Sequence, residues 1–298
     1  MKNNNSLLIS IIVGLLVLVA LIVIGNVISI GDKIAGIHPI FSYLFYGLVG
    51  VVLIWLIILP VVRVILTPQI KGIGREDISS YTPSEVTEYI EDLKKGIKLT
   101  REEKRELDLD GDRKKVIEKI LDSRYEKMEK IVKKSAVSNF VITAISQNGS
   151  FDFVASVVIT FRMISEIVKS LGKRPSYSQL IKLYISVISA SLIITAIEDI
   201  IDDIDFSELL GGLGGGITKK TFNIIIPSAT NGLMNAFVTL RVGYATIKYL
   251  EVGNENFNRR ETRRYAIKSA LRQLLGVGKE GVAETMKKAG KMLKSAVD

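Results

Sequence analysis

Residues 7–30 read LLISIIVGLLVLVALIVIGNVISI, and residues 40–62 read IFSYLFYGLVGVVLIWLIILPVV. Neither run holds a charged residue. At about 1.5 Å rise per residue, each makes a helix longer than the roughly 30 Å hydrocarbon core of a bilayer. Helices buried in soluble domains are seldom this long and apolar on every face. The two runs therefore read as a transmembrane hairpin joined by a short loop, and the rest of the chain is placed relative to a membrane.

Lys and Arg close to the membrane set the orientation. The loop from Gly31 to Pro39 holds Lys33 beside Asp32, whereas Arg63, Lys71 and Arg75 follow the second run. The positive-inside rule then puts the loop outside and the flanking chain in the cytoplasm. Both termini are expected there if the number of later spans is zero or even. The first run is too long for a cleaved signal peptide, and no small-residue cleavage pattern follows it. Pro60 is expected to kink or end the second helix. His38, in the loop before Pro39, reads as a turn residue.

Composition excludes much chemistry. The 298 residues contain no Cys and one His. Disulfides, thiolate metal sites and a Cys nucleophile are absent, and a multi-His zinc site or a Ser-His-Asp triad has no material. No catalytic constellation is visible, so the chain is read as a non-enzyme without a cofactor or metal. Hydrophobic residues make up 48% and charged residues 24%, which suits a chain with both membrane and aqueous parts.

Residues 67–135 form a charged connector. Thr82-Pro83-Ser84-Glu85 and Thr100-Arg101-Glu102-Glu103 have the capping-box pattern and predict two short helices, the first stopping near Gly96. Asp108-Leu109-Asp110-Gly111-Asp112 resembles a calcium loop only superficially. Counting from Asp108, Gly111 falls at position 4 and Lys119 at position 12, where an EF-hand needs Gly at 6 and Glu at 12. It reads as a turn, with Asp112 placed to cap the next helix. From Arg113 an apolar stripe (Val116, Ile117, Ile120, Leu121, Tyr125, Met128, Ile131, Val132) recurs at three- and four-residue steps. Arg124 breaks its heptad register, which favours packing or partner docking over a long coiled coil.

Residues 136–251 are apolar with sparse charge. Helices are expected at about Val137–Ser146, Phe151–Leu171 with Gly172 as the stop, Ser178–Ile201 and Thr218–Leu250. Asn223, Pro227, Asn231, Gly232 and Asn235 suit a helix packed against others better than one facing lipid.

Three stretches of this segment carry a resemblance. They are Ala144-Ile145-Ser146 with Asp152 downstream, Phe161-Arg162-Met163-Ile164-Ser165-Glu166-Ile167 before Gly172-Lys173-Arg174-Pro175, and Asn231-Gly232-Leu233 leading to Thr239-Leu240-Arg241-Val242-Gly243. Val137 to Glu251 resembles the C-terminal domain of unknown function of YcjF-like bacterial inner-membrane proteins, a domain also found behind Era-like GTPase domains. The chain departs from that pattern at Gln147, where the family often has Pro, and at Tyr249-Leu250-Glu251, where it often has Cys-Arg-Pro. The resemblance implies an inner-membrane protein associated with a P-loop GTPase, and it brings no catalytic residue.

Several clusters invite a site. LGGLGGGITKKT at 210–221 lacks the Gly-Lys-Ser/Thr spacing of a P-loop and reads as a connector. Asp199, Asp202 and Asp203 share a helical face within a run that also holds Glu198, Asp205 and Glu208. Such carboxylates can hold Mg²⁺ or Ca²⁺ or meet a basic partner, but the run reads first as a solvated helix end. Asp152, Arg162, Glu166 and Arg241 are charges inside apolar helices and should be paired or packed, with Asp152 the expected mate of one arginine. Within a bilayer the same four would instead mark an ion path. The tail, residues 252–298, carries eleven Lys and Arg against five acids, among them Arg259, Arg260, Arg263 and Arg264. Its two apolar stripes make basic amphipathic helices suited to an anionic lipid surface, a partner or the domain itself. Few aromatics and no recognised module argue against nucleic acid.

The expected architecture is an all-α membrane protein: a hairpin (1–66), the connector, a helical cytoplasmic or partly membrane-associated domain, and the basic tail. The expected role is a membrane scaffold or regulator that recruits a GTPase. The alternative is a channel or transporter component, and a homo-oligomer is open in either case.

Overall fold

The computed structural model describes residues 24, 25, 27–68, 82–96, 99–108, 112–146, 149–174, 179, 180, 183, 184, 219–252 and 258–295. Among them the fold is all-helical, with no β-strand. The first apolar run lies outside the described residues up to Val23. Residues 27–35 are helical.

The second run becomes three consecutive segments: α1 (Pro39–Leu53), a π-helical turn (Ile54–Ile58) and α2 (Leu59–Leu66). His38 caps α1, its Nδ1 accepting from the Ile40 amide at 3.2 Å. The break belongs to Pro60, which has no N–H and whose ring crowds the carbonyl one turn back. The π turn just before it absorbs that conflict. Divided in this way, no helix among the described residues is long and apolar enough to cross a membrane.

Two short helices follow, α3 (Pro83–Gly96) and α4 (Arg101–Asp108). Both capping boxes form. Glu85 Oε2 accepts from the Thr82 amide and Glu103 Oε2 from the Thr100 amide, each at 2.7 Å. In return, Thr82 Oγ1 and Thr100 Oγ1 face the Glu85 and Glu103 amides at 3.4 and 3.2 Å.

Four long helices make the domain: α5 (Arg113–Ile145), α6 (Gly149–Leu171), α7 (Lys219–Val252) and α8 (Arg259–Ser295). The stripe predicted from Arg113 onward faces inward. Ile117, Met128 and Val132 are fully buried, and Val116 and Ile131 partly so. The composition change at Ala136 lies inside α5, which runs unbroken through it. Arg124, the residue out of register, forms a half-buried pair with Glu103 at 2.9 Å and fastens α4 to α5. Gly172 ends α6 with φ 65°, a conformation that favours glycine, and its amide returns to the Val168 carbonyl at 2.9 Å.

α7 is central, packed most closely against α5 and α8, which also touch each other, and against α6. Glycine permits the close approach. A Cβ at Gly243 would lie 2.6 Å from Val132, and Cβ atoms at Gly232 and Gly281 would lie 2.9 and 2.5 Å from the Phe140 ring. Phe140 of α5 thus fills a socket made by one glycine from α7 and one from α8. These contacts run α5 and α7 antiparallel. The pairing of Tyr244 with Tyr265 runs α7 and α8 antiparallel.

The tail therefore differs from a free amphipathic helix. Ala266, Ala270, Leu274, Val277 and Val282 of α8 are buried in the domain core. Of the first tail stripe, Ala266, Ile267, Ala270, Leu271, Leu274 and Leu275, Leu271 alone stands exposed, at 41%. The core needs α8 because α7 is apolar on the side that α5 leaves open, so the stripe is spent on protein.

Candidate functional site

Polar side chains from three apolar helices meet inside the domain. Asn139 of α5 and Thr239 of α7 are buried, as is Ser156 of α6. Asn139 Nδ2 donates to Thr239 Oγ1 at 2.7 Å, and Thr239 in turn donates to the Asn235 carbonyl at 2.9 Å. Ser156 Oγ lies 2.8 Å from Asn139 Oδ1 and 3.0 Å from Asn235 Oδ1. One hydroxyl proton serves one of those acceptors at a time. Asn235 Nδ2 donates to the Asn231 carbonyl at 3.1 Å. Thr143 and Thr160 back-bond to the carbonyls of Asn139 and Ser156, each four residues earlier. The arrangement is a polar seam, and it fixes the register of α5, α6 and α7 because a one-residue slip strands several buried groups.

Asp152 stands one turn before Ser156 on α6. Burial raises its pKa and a hydrogen bond from Ser146 opposes the rise. Its Oδ1 is buried without a hydrogen-bond partner among the described residues.

The structure does not bring the four sparse charges together. Arg162 and Glu166 are exposed on α6, and Arg162 stacks over the Trp55 ring, 5.9 Å from its centroid. Arg241, on α7, feels burial first and the charge of Arg263 second, and both oppose its own charge. Among the described residues no ion pair joins Asp152 to either arginine. Arg162 lies ten residues along α6 from Asp152, about 15 Å away and on a different face.

At the tail, Arg260, Arg263 and Arg264 are exposed, and Arg259 opens α8. Beside them, buried Lys248 approaches Glu251 at 3.6 Å and the Tyr265 ring at 5.3 Å. Burial raises the pKa of Tyr265, with the charge of Glu251 adding to it. Asp199, Asp202 and Asp203, the rest of the acidic run and most of the glycine-rich stretch lie outside the described residues. No group of carboxylates or His among the described residues could hold a metal ion.

Sequence reasoning singled out Asn235, and Thr239 within the resemblance, but not Asn139 or Ser156. The signal was present: Asn139/Thr143, Ser156/Thr160 and Asn235/Thr239 are each polar pairs four residues apart in apolar helices.

A helical bundle with a buried polar seam and glycine sockets defines a class by its packing. The family model for a domain of unknown function, DUF697, matches residues 111–279. The chain belongs to that family. The match takes in α5, α6, α7 and the first half of α8, so it begins before and ends after the segment that carried the resemblance. No curated protein and no solved structure matches the chain.

Proposed function

We propose that the protein is an integral membrane scaffold or regulator whose DUF697 domain sits at the cytoplasmic face of a bacterial inner membrane and recruits a P-loop GTPase. One observation carries the membrane part. α1 leaves large apolar side chains bare: Tyr43 is 73% exposed, Leu48 65% and Val51 66%. The α1, π and α2 segments follow one another without leaving helical backbone, since Ile54 and Ile58 are both right-handed helical. From Pro39 to Leu66 they reach about 40 Å, enough for a bilayer core. A contiguous apolar surface of this kind needs a cover, and lipid supplies it.

The GTPase part rests on the likeness of the domain to YcjF-like proteins and to domains fused behind Era-like GTPases. The exposed basic face of α8 is available for an acidic partner or anionic headgroups. The flux alternative is the weaker reading. Arg162 and Glu166 face outward, and the groups of the polar seam largely satisfy one another, which suits register better than conduction. Mild-detergent purification of the full chain, with and without a non-hydrolysable GTP analogue, tests the proposal. A stoichiometric GTPase whose recovery changes with nucleotide is expected. A clean homo-oligomer without a partner counts against it.

A further inference from the structure

We infer that the cytoplasmic membrane–water boundary runs at Trp55 and Arg162, so that α2 belongs to the domain and only the stretch from Pro39 to about Ile58 faces lipid. The inference rests on the hairpin reading above and shortens the span that the uncharged run suggested.

The change of surroundings occurs at the π turn. Before it, Leu44, Leu48 and Val51 are 64–66% exposed. After it, one face turns inward: Pro60 and Val64 are buried and Val61 packs against the domain core, while Val62, Ile65 and Leu66 on the other face stay exposed. α2 lies along α6, and the Arg174 amide donates to the Pro68 carbonyl at 2.9 Å. Arg162 to Arg174 and Trp55 to Pro68 cover nearly equal lengths of chain in the same direction, so α2 and α6 run parallel over this interval. Lipid beside α2 would also have to accommodate Arg162, Glu166 and Lys169, all exposed on α6. Charges in hydrocarbon are costly, and their level sets how far acyl chains can reach.

The aromatic residues agree. Phe41 and Tyr43 stand near the outer end of α1 and Trp55 at the inner end, the positions aromatic side chains take at the two interfaces. From Pro39 to Trp55 the helix rises about 25 Å, close to a hydrocarbon core bounded by aromatic rings. The guanidinium of Arg162 over the Trp55 ring would then lie at the depth of lipid phosphates, with its outer side free to meet them.

Trp55 is the single tryptophan of the chain, which makes it a built-in depth gauge. The full protein is reconstituted in phosphatidylcholine–phosphatidylglycerol vesicles containing lipids brominated either near the headgroup or near the chain ends. A larger loss of Trp55 emission with the shallow bromines is expected. A larger loss with the deep bromines would overturn the boundary and leave the hairpin reading intact. Quenching by aqueous acrylamide with no effect of either bromolipid would overturn both. Single cysteines give a second readout in this cysteine-free chain. In inside-out vesicles, Leu66→Cys should react with an impermeant maleimide and Leu48→Cys should not. Protection of both positions would contradict the boundary.

Discussion

α1 and the central part of α7 are both uncharged and mostly apolar, yet they use that composition in opposite ways. Along α1, Leu44, Leu48 and Val51 stand exposed, whereas Leu233, Phe237, Leu240 and Leu250 of α7 are buried to 1% or less. The difference lies in what interrupts the apolar residues. α7 carries Gly232, Asn235, Thr239 and Gly243 at three- and four-residue steps. These match Phe140, Asn139, Ser156 and Val132 on neighbouring helices. The glycines of α1, Gly47 and Gly50, would meet nothing within 4 Å if they carried a Cβ. An apolar helix is committed to protein where small and polar residues recur on one face, and where they do not, as along α1, its apolar side chains stay bare.

Truncation should separate the two helices most sharply. Phe140→Ala empties the socket between Gly232 and Gly281 and should cost about 3–5 kcal/mol of domain stability, read by denaturant unfolding in detergent. Leu48→Ala on α1 should leave the same transition within about 0.5 kcal/mol. Equal losses would erase the contrast. Next in size, Gly243→Ala forces a Cβ against the stiff β-branched Val132 and should cost about 1–3 kcal/mol, while Gly47→Ala should be neutral or mildly stabilising. Asn139→Ala should cost about 1–3 kcal/mol by leaving Ser156 and Thr239 short of a partner, with Asn139→Asp no substitute because it cannot donate to Thr239.

The smallest effect is pH-dependent. Burial raises the pKa of Asp152 in the folded state, so the folded chain holds its proton more tightly than the unfolded one. The stabilising contribution is fully present below the ordinary carboxylate pKa and is lost as pH rises through the raised value. Asp152→Asn should therefore raise the melting temperature at neutral pH, with a gain that fades as the medium is acidified below the carboxylate range. A gain independent of pH would assign the effect to packing.

Much of this architecture was legible in local chemistry. The Thr-x-x-Glu boxes at Thr82 and Thr100, the inward stripe of α5, the stop at Gly172 and the extent of α7 all depend on residues close in sequence. What escaped depends on residues far apart. The socket around Phe140 needs glycines 92 and 141 positions away in the chain, and neither glycine announces its partner. The tail stripe favoured a lipid surface or a partner over the domain, and the open side of α7 reversed that order. Asp152 and the arginines looked like mates because sparse charges usually pair. Helical geometry instead sets Arg162 against the Trp55 ring of the π turn and Arg241 near Arg263. Within the domain, the sequence marked Asn235 but not the seam, since a single Asn gives no hint that Asn139 and Ser156 converge on it.

The central claim is that two similar uncharged stretches have different surroundings, lipid for α1 and protein for α7. A photoactivatable apolar carbene precursor dissolved in the bilayer, followed by mass spectrometry of the labelled peptides, tests it directly. The account predicts dense labelling across residues 39–58 and little or none across 229–250. Comparable labelling of both stretches would contradict it.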